Sequence, residues 1–419
     1  PPPVAENKNA KVLLIFDNLF QAVGVILIIF NSFKYLKFNI IELVMSSFEN
    51  IIILQDNLKP DIDKNTNYIL VENDTVLETF HNNFSGCITA DFATVHSGFK
   101  VAMHKLEIET NVGYPVDLFN GEQGIMIPGN CIPQKLFDKP KDIGWDIWIS
   151  ICLRNNNTLI RTMGGNSISK RSFKEVKSGQ EKYAKRYEIG IISPTYNRHD
   201  FLPKCFECIK AQEGSFVKSM EWCILDDSPQ PMSKEDQDKI WGNSDINVFY
   251  VYLPTKVCVG NKRNILARLS LGKIFINFDD DDLHHPERCK ASVHKLAHSS
   301  VNICGCTDCY LIHKGVIYQI RGLGNNHSTA GLMAYTREHG LTHKFGEDLH
   351  HAEESEFTEK YTLPMVQLNP NKVILIISHE NNTYDKTNYL AQNINKTVFE
   401  TKMKIKNFTK KKKLIKLYI

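Results

Sequence analysis

The second half of the sequence, from about residue 187 to residue 385, predicts an α/β fold with a mostly parallel sheet. Short apolar runs rich in β-branched residues alternate there with segments whose apolar residues follow a helical period. Such strand–helix–strand alternation is typical of a parallel sheet with helices on both faces. Polar motifs follow several of these strands directly, where the ligand crevice of such a sheet lies.

The predicted elements follow one another at short intervals. The strands are the runs Tyr187–Ser193, Trp222–Leu225, Val248–Tyr252 and Ile274–Phe278. The helices are Leu202–Gln212, which places Leu, Cys, Phe, Cys and Ile along one face, and Asn261–Leu271.

Composition excludes several classes of protein. The chain has 419 residues, 42% hydrophobic and 23% charged, as expected for two or three soluble globular domains. A net charge of +3 gives no reason to expect a nucleic-acid partner. Eleven cysteines are an odd number at low density, which favours a reducing, cytoplasmic location. The apolar window Asn18–Phe33 is shorter than the roughly 20 residues of a spanning helix, which favours a buried helix or strand of the first domain, with a membrane anchor as the alternative; no clear signal peptide or transmembrane helix is evident.

Shifts in composition divide the chain into five parts. A polar segment, 1–10, precedes a first domain, 11–166, and a basic linker, 167–186, leads to the second domain, 187–385. The Lys-rich tail, 386–419, ends in FTKKKKLIKLYI. A solvated tail is the simpler interpretation, and weak attraction to an anionic membrane surface is the alternative.

Four consecutive acids, Asp279 to Asp282, follow the predicted strand that ends at Phe278. Their carboxylates repel one another and need either a cation or a loop that separates them in water. Carboxylates of this kind suit Mg²⁺ or Mn²⁺, which often bridge protein oxygens to substrate phosphates. An acidic turn without a metal is the alternative.

Three further motifs accompany this cluster. Ile191–Arg198 opens the domain, Ile224–Ser228 ends in a second acidic pair, and Gly260–Asn264 begins a helix. The order and spacing of these motifs resemble the family 2 glycosyltransferases, whose catalytic domain has the GT-A fold. The resemblance covers about half of the chain, residues 187–385.

The resemblance implies a set of donor and metal residues. Pro194 and Tyr196 would lie against the nucleotide base, Asp227 would hydrogen-bond the base, and Asp279 would lie near the ribose. The implied donor-binding residues are Pro194, Tyr196, Asn197, Arg198, Asp226, Asp227, Arg263, Asn264, Asp279 and Asp280. The implied ligands of Mn²⁺ or Mg²⁺ are Asp279, Asp281, Asp282 and, from the stretch Ser378–Thr383, His379.

The resemblance also implies a catalytic base. In the family an acidic pair, usually Glu-Asp, opens a helix at this point, and its second acid is the base. Here the pair is Glu353-Glu354, so Glu354 takes that role and Glu353 is the fallback. Glutamate is one methylene longer than aspartate, which moves the carboxylate by about 1 Å, a shift large enough to change a catalytic rate. The alternative is that both acids only complement a helix N-terminus.

The implied activity is inverting transfer of a sugar from a nucleotide sugar, UDP first among them, to a hydroxyl of a glycan, protein or lipid. The Gln-x-x-Arg-Trp motif and the long membrane helices of processive members are absent, which favours single additions. A catalytically inactive module that binds nucleotide sugars or glycans is the competing hypothesis. Nucleotidyl transfer is disfavoured because Ser193–Arg198 contains no glycine.

Two other clusters have weaker interpretations. Cys304, Cys306 and Cys309 with His313 could bind zinc, but buried cysteines are favoured because the run begins as a strand. The doublets His284-His285 and His350-His351 are expected in an acceptor pocket or on the surface.

The first half resembles a shortened, degenerate GT-A-like domain. The strand Asn67–Glu72 runs into Asn73-Asp74, and later come Val116–Ile125 and Trp145-Asp146. No nucleotide-binding loop precedes these acids. A packing or acceptor-presenting role and residual activity both remain open for this domain.

Overall fold

The structure is a computed structural model that describes residues 184–418, apart from 350–351, 381 and 383–384, and parts of the first half. Those parts are residues 134–157 without 144, residue 182 and eight short strands. Five groups of predicted features lie outside the described residues: segment 1–10 with the window Asn18–Phe33, the pair Asn73-Asp74, the loop 120–124, most of the linker 167–186, and the doublet His350-His351.

The described strands of the first half form a mixed sheet. They are β1 (Ile51–Leu54), β2 (Asn67–Glu72), β3 (Ile88–Ala90), β4 (Ala93–Thr94), β5 (Tyr114–Val116), β6 (Leu118–Phe119), β7 (Ile125–Pro128) and β8 (Ile160–Thr162). Six of them pair in the order β1-β2-β7-β3-β8-β5, and β4 pairs with β6. Helix α1 (Trp145–Asn155) precedes β8.

The second half contains twelve described strands and eight described α-helices. The strands are β9 (Tyr187–Thr195), β10 (Met220–Asp226), β11 (Asn247–Tyr252), β12 (Gly272–Asn277), β13 (Leu283–His284), β14 (Ile303–Gly305), β15 (Cys309–His313), β16 (Val316–Ile320), β17 (Ala334–Thr336), β18 (Val366–Gln367), β19 (Ile374–Ile377) and β20 (Val398–Glu400). The helices are α2 (Leu202–Lys210), α3 (Lys234–Trp241), α4 (Val259–Leu269), α5 (Arg288–Ala297), α6 (Arg337–Thr342), α7 (Glu354–Phe357), α8 (Lys386–Asn393) and α9 (Lys412–Tyr418).

The main sheet of the described second half has the order β11-β10-β9-β12-β17-β14-β18. Strands β11, β10, β9 and β12 run parallel, and β17 is antiparallel to both β12 and β14. This arrangement confirms the predicted α/β fold with a mostly parallel sheet. A second sheet, β13-β19-β15-β16-β20, was not predicted from the sequence.

Helices cover both faces of the main sheet. Successive residues of each strand point to opposite faces and so pack into different cores. Trp222 and Ile224 pack with α2, α3 and α5 on one face, and Phe206 stacks on Trp222 at 5.5 Å. Cys223 and Leu225 pack with α4 and α7 on the other face. Two cores on either side of one sheet hold the strand ends in fixed positions.

Arg154, in α1, joins the first half to the second. Its guanidinium donates from Nη2 to Glu221 at 2.8 Å and from Nε to the carbonyl of Leu269 at 2.6 Å. It also lies 3.8 Å from the ring centroid of Phe249. Glu221 is fully buried and accepts a second hydrogen bond from Ser270, so Arg154 neutralises a charge inside the α/β domain.

The Lys-rich tail packs on the α/β domain, so the expectation of a solvated tail is wrong for its last turns. Phe408 and Leu414 are buried, and the hydroxyl of Tyr418 donates to the carbonyl of Asp282 at 2.9 Å. Lys413 pairs with Glu207 at 2.7 Å. The apolar residues between the lysines form the face that packs on the domain, whereas the run of lysines suggested an exposed tail. Across the described residues, no helix combines the length and apolar character needed to cross a bilayer.

Candidate active site

The predicted motifs meet at the carboxyl ends of the parallel strands. Ser193, in β9, donates a hydrogen bond to the carbonyl of Phe278 at 2.6 Å. Thr195, at the end of β9, donates to Asp280 at 2.6 Å. The loop after β9 and the acidic loop after β12 are therefore in direct contact, as neighbouring parallel strands require.

The acidic pair after β10 has two different environments. Asp226 is fully buried and accepts hydrogen bonds from Ser228 N at 2.9 Å and from Tyr250 at 2.5 Å, with His199 Nε2 at 2.6 Å. These contacts make Asp226 a brace for its loop. The resemblance implied that Asp226 binds the nucleotide-sugar donor, but its buried side chain exposes no surface to such a ligand.

Asp227 is held by Lys262, a residue to which the sequence assigned no role. Lys262 Nζ donates to Asp227 and to the carbonyl of Thr195, and Val257 N donates to Asp227 at 2.8 Å. Burial lowers the pKa of Lys262, and the Asp227 carboxylate opposes that shift. The buried lysine at the start of α4 was visible in the motif Gly260–Asn264 as a cation beside the expected arginine.

An aromatic ring with two cations lies beside this pair. Lys256 Nζ is 4.0 Å and Lys262 Nζ 5.7 Å from the ring centroid of Tyr196. Asn197, the next residue, has a left-handed φ of 53°, and its backbone N–H donates to Ser228 at 2.7 Å. The Tyr196 ring is only partly buried, which leaves a face for a planar ligand.

Asp281 is the most heavily contacted acid of the cluster. Its Oδ2 lies 2.9 Å from His379 Nε2, 3.1 Å from Arg198 Nη1 and 3.1 Å from Asn382 Nδ2. Burial would raise the pKa of Asp281, but His379 and the nearby cations outweigh it and hold the pKa below its usual range. By contrast, burial and the Asp281 charge raise the pKa of Asp280 to about 7.

The four predicted metal ligands do not form one cluster. Asp279 pairs with Arg263 at 2.8 Å, and Asp282 accepts a hydrogen bond from Ile377 N at 3.0 Å. Among the described residues, no group of three or more His, Cys, Asp and Glu side chains is placed to hold a metal ion. Consecutive loop residues point in different directions, so the predicted ligands Asp279, Asp281 and Asp282 do not all face one point.

Asp281 and His379 remain as a fitting pair for Mn²⁺ or Mg²⁺. Their donor atoms are an oxygen and a nitrogen 2.9 Å apart. Such ions are commonly held by one or two carboxylates and completed by substrate phosphates and water, and His379 would add a nitrogen ligand to Asp281 here. The donor set therefore fits a metal that arrives with a diphosphate.

The acidic loop rests on a buried basic pair. His284 Nε2 lies 2.8 Å from the carbonyl of Asp279, and Arg288 Nη1 lies 2.5 Å from His284 Nδ1. Arg288 Nη2 donates to the carbonyl of Gly331 at 2.7 Å. Both side chains are fully buried, so the expectation that His284 lies on the surface or in an acceptor pocket is wrong.

Arg263 connects the acidic loop with the glutamate pair. Its guanidinium is buried, with Nη2 at 2.8 Å from Asp279 and Nε at 3.5 Å from Glu353. Nη1 is also buried and has no hydrogen-bond partner within the described part of the chain. A buried, unpaired N–H on a cation is a place where an anionic ligand would be stabilised.

The glutamate pair is fixed by a close contact at the start of α4. A Cβ on Gly260 would lie 2.0 Å from the carbonyl oxygen of Gly346 and 3.2 Å from Cβ of Glu353, so only glycine fits. Gly346 N donates to the carbonyl of Glu353 at 2.8 Å. Glu354 is buried, and Tyr361 donates to it at 3.4 Å. Burial and the neighbouring Glu353 raise the pKa of Glu354 to about 7.

Asn264 is used to hold this same loop. Its Nδ2 donates to the carbonyl of Phe345 at 2.9 Å, and its Oδ1 accepts from Phe345 N at 2.9 Å. A third contact joins Nδ2 to Glu347 at 3.1 Å. Asn264 therefore positions the segment before the glutamate pair, and its implied role in the donor pocket stays a prediction.

The cysteine run is part of the core. Cys304, Cys306 and Cys309 are buried and unpaired, and burial raises each pKa to about 12. Thiols held in the neutral form are poor metal ligands. His313 instead lies 2.9 Å from the hydroxyl of Ser378.

Comparison with known proteins identifies the family of this domain. Residues 190–346 match the family model described as glycosyl transferase family 2, which is less than half of the chain. The match includes the acidic loop and Arg263 and ends before the glutamate pair and His379. It confirms the predicted glycosyltransferase domain in the C-terminal half. No curated protein matches the chain.

Solved structures with some similarity include two that contain a bound nucleotide sugar. S. aureus TarS, residues 1–349 with UDP-GlcNAc, is 17% identical with a TM-score of 0.39, over 47% of this chain and 60% of that one. The mannosyltransferase PcManGT from Pyrobaculum calidifontis with GDP-Man and Mn²⁺ is 16% identical with a TM-score of 0.38, over 48% and 59%. The chain thus spans about 60% of the length of these two solved chains.

Proposed function

We propose that this glycosyltransferase family 2 domain performs metal-dependent, inverting, single transfers of a sugar from a nucleotide sugar, UDP-sugars first, to an acceptor hydroxyl. The observation that carries the proposal is the position of Arg263. Its contacts with Asp279 and Glu353 support a single site that is shared by the acidic loop and the glutamate pair. Stabilisation of the leaving group and removal of the proton from the acceptor hydroxyl can then occur around the same donor sugar.

The donor would lie across the ends of β9, β10 and β12. The partly exposed ring of Tyr196 would stack on the nucleotide base, with Asp227 and Lys262 as the polar groups beside it. The sugar diphosphate would then extend towards Arg198 and Arg263. Both guanidiniums lie among the aspartates, so they would bind phosphate oxygens at a position that is otherwise strongly negative.

Asp281 and His379 would hold Mn²⁺ or Mg²⁺ against the diphosphate. When bound, such an ion acts as a Lewis acid that stabilises the negative charge of the departing nucleoside diphosphate. The chain's own part is orientation. Arg198 and Asn382 fix the Asp281 carboxylate, and His284 fixes the backbone of the acidic loop from below.

Glu354 would remove the proton of the acceptor hydroxyl as that hydroxyl attacks the anomeric carbon. A general base works best when its pKa lies near the working pH, and burial beside Glu353 raises the pKa of Glu354 to about 7. Attack from the side opposite the diphosphate inverts the anomeric configuration. The bond that breaks is the one between the anomeric carbon and the phosphate oxygen, and the nucleoside diphosphate leaves.

A screen of nucleotide sugars with Mn²⁺ tests the proposal. The readout is release of nucleoside diphosphate, with water or a panel of acceptors, followed by the mass and anomeric configuration of the product. We expect turnover with at least one UDP-sugar and a product of inverted configuration. Turnover that is unchanged in both Asp281→Ala and Glu354→Gln would contradict the mechanism.

A further inference from the structure

A left-handed turn follows helix α7. Three consecutive residues that are not glycine, Glu359, Lys360 and Tyr361, have φ values of 49°, 59° and 61°. Residues with a Cβ avoid this conformation, and runs of it occur where the surrounding structure enforces them. The turn is held by Lys360 N donating to the carbonyl of Ser355 at 2.6 Å and by Tyr361 N donating to the buried Thr358 hydroxyl at 3.2 Å.

The turn brings the Tyr361 side chain back to the catalytic glutamate. Its hydroxyl lies 3.4 Å from Oε1 of Glu354, seven residues earlier in the chain. The side chain remains partly exposed. A costly backbone conformation that delivers an exposed aromatic ring to a buried carboxylate is typical of a functional site.

A second ring lies beside Tyr361. The ring centroid of His327 is 5.0 Å from that of Tyr361, and His327 is also partly exposed. Gln367 Nε2 fixes the loop that carries His327 by donating to the carbonyls of Asn325 at 2.5 Å and of His327 at 3.2 Å. Burial lowers the pKa of His327, so the imidazole is neutral at pH 7.

We infer that Tyr361 and His327 form the acceptor subsite, and that this subsite takes the face of a sugar ring whose hydroxyl is presented to Glu354. The inference rests on the proposed function, because it assigns the acceptor side of the same reaction. Two adjoining neutral rings provide the amphipathic surface on which the C–H face of a pyranose packs. The acceptor is therefore a glycan.

Three neighbouring side chains act on the carboxyl group of Glu354. The groups that influence it are Glu353 before it in the chain, Arg263 from α4 and Tyr361 from the turn. Arg263, the cation of this set, is already directed at Asp279 and Glu353.

Direct binding without donor tests the subsite. Trisaccharides of glucose, galactose, mannose and N-acetylglucosamine are titrated into the full chain, with saturation-transfer NMR as the readout. We expect at least one to bind, with affinity reduced about tenfold by Tyr361→Ala or His327→Ala, a typical effect of an aromatic contact. His294→Ala, from the exposed stacked pair His294–His298 at the C-terminal end of α5, is the matched control and leaves binding unchanged.

Tyr361→Phe separates the ring from the hydroxyl. This variant retains saccharide binding, but the acidic limb of its pH–rate profile moves to higher pH, because a hydrogen bond that favours the ionised Glu354 is lost. A packing role alone would not move that limb. Equal binding by wild type and Tyr361→Ala, or no trisaccharide binding at all, overturns the inference. Nucleotide-sugar turnover with water is assayed separately, so the proposed function can stand or fail by itself.

Discussion

The acidic loop and the glutamate pair face each other across Arg263, but they are built in different ways. Asp281 in the loop has three polar partners within 3.1 Å, and its pKa is held below the usual range. Among the described residues, Glu354 has one side-chain hydrogen bond, at the long distance of 3.4 Å, and its pKa is raised to about 7. Both carboxyl groups are almost completely buried.

The difference follows from the partners. Cations and an amide make burial of Asp281 tolerable as an anion, whereas burial of Glu354 next to another glutamate favours its neutral form. A carboxylate that must bind a cation gains from permanent ionisation. A carboxylate that must accept and release a proton gains from a pKa near the working pH. The two halves of the site therefore have the electrostatics that their proposed roles need.

The largest expected effect is at the acidic loop. Asp281→Ala removes the oxygen that faces His379 and Arg198, and we expect release of nucleoside diphosphate to fall about 10³-fold or more, since metal stabilisation of a leaving group contributes several kcal/mol. Chelation by EDTA should have the same effect on the wild type and none on the variant. Full activity after chelation would mean that Arg198 and Arg263 neutralise the diphosphate without a metal.

Glu354→Gln tests the other side. The amide cannot accept the acceptor proton, so we expect kcat to fall about 10²- to 10⁴-fold while the affinity for the nucleotide sugar, measured by calorimetry, stays the same. Glu356→Gln is the matched control, because Glu356 is exposed on the same short helix. If Glu353→Gln removed turnover and Glu354→Gln did not, the first glutamate would be the base.

The pH dependence of kcat/KM sharpens the contrast. We expect activity to rise with pH through an apparent pKa of about 7, since Glu354 is active only when ionised. Glu353→Gln should move this limb to lower pH, because the variant removes a like charge and leaves Arg263 nearby. A limb that does not move in Glu353→Gln would assign the titration to another group.

The sequence was sufficient for the features that depend on local periodicity. The four predicted strands and two helices correspond to β9, β10, β11, β12, α2 and α4, with ends that differ by a few residues. The position of the acidic loop follows from them, because a loop after a parallel strand lies at the crevice. Local sequence patterns could not predict which of the acidic residues would pair with cations.

The site's long-range pairs escaped prediction for that reason. Arg263 pairs with Glu353, 90 residues later in the chain. Lys262 pairs with Asp227 because the start of α4 lies next to the loop after β10. The sequence also could not show that Asp279 and Asp282 turn away from Asp281, since side-chain directions in a tight acidic loop depend on tertiary contacts. The apolar residues of the tail were present in the sequence, but lysines between them concealed the packing face.

The smallest expected effect concerns stability. The folded-state pKa of Glu354 is raised, so its neutral form stabilises the protein at low pH, and that contribution is lost as the pH rises through about 7. Glu354→Gln should therefore raise the melting temperature by a few degrees at pH 8 and leave it nearly unchanged at pH 5. Glu356→Gln should change neither value. An inactive variant that is more stable than the wild type at pH 8 would show that the buried carboxylate is retained for function at a cost in stability. Equal melting temperatures at both pH values would mean that Glu354 is better solvated than its burial implies.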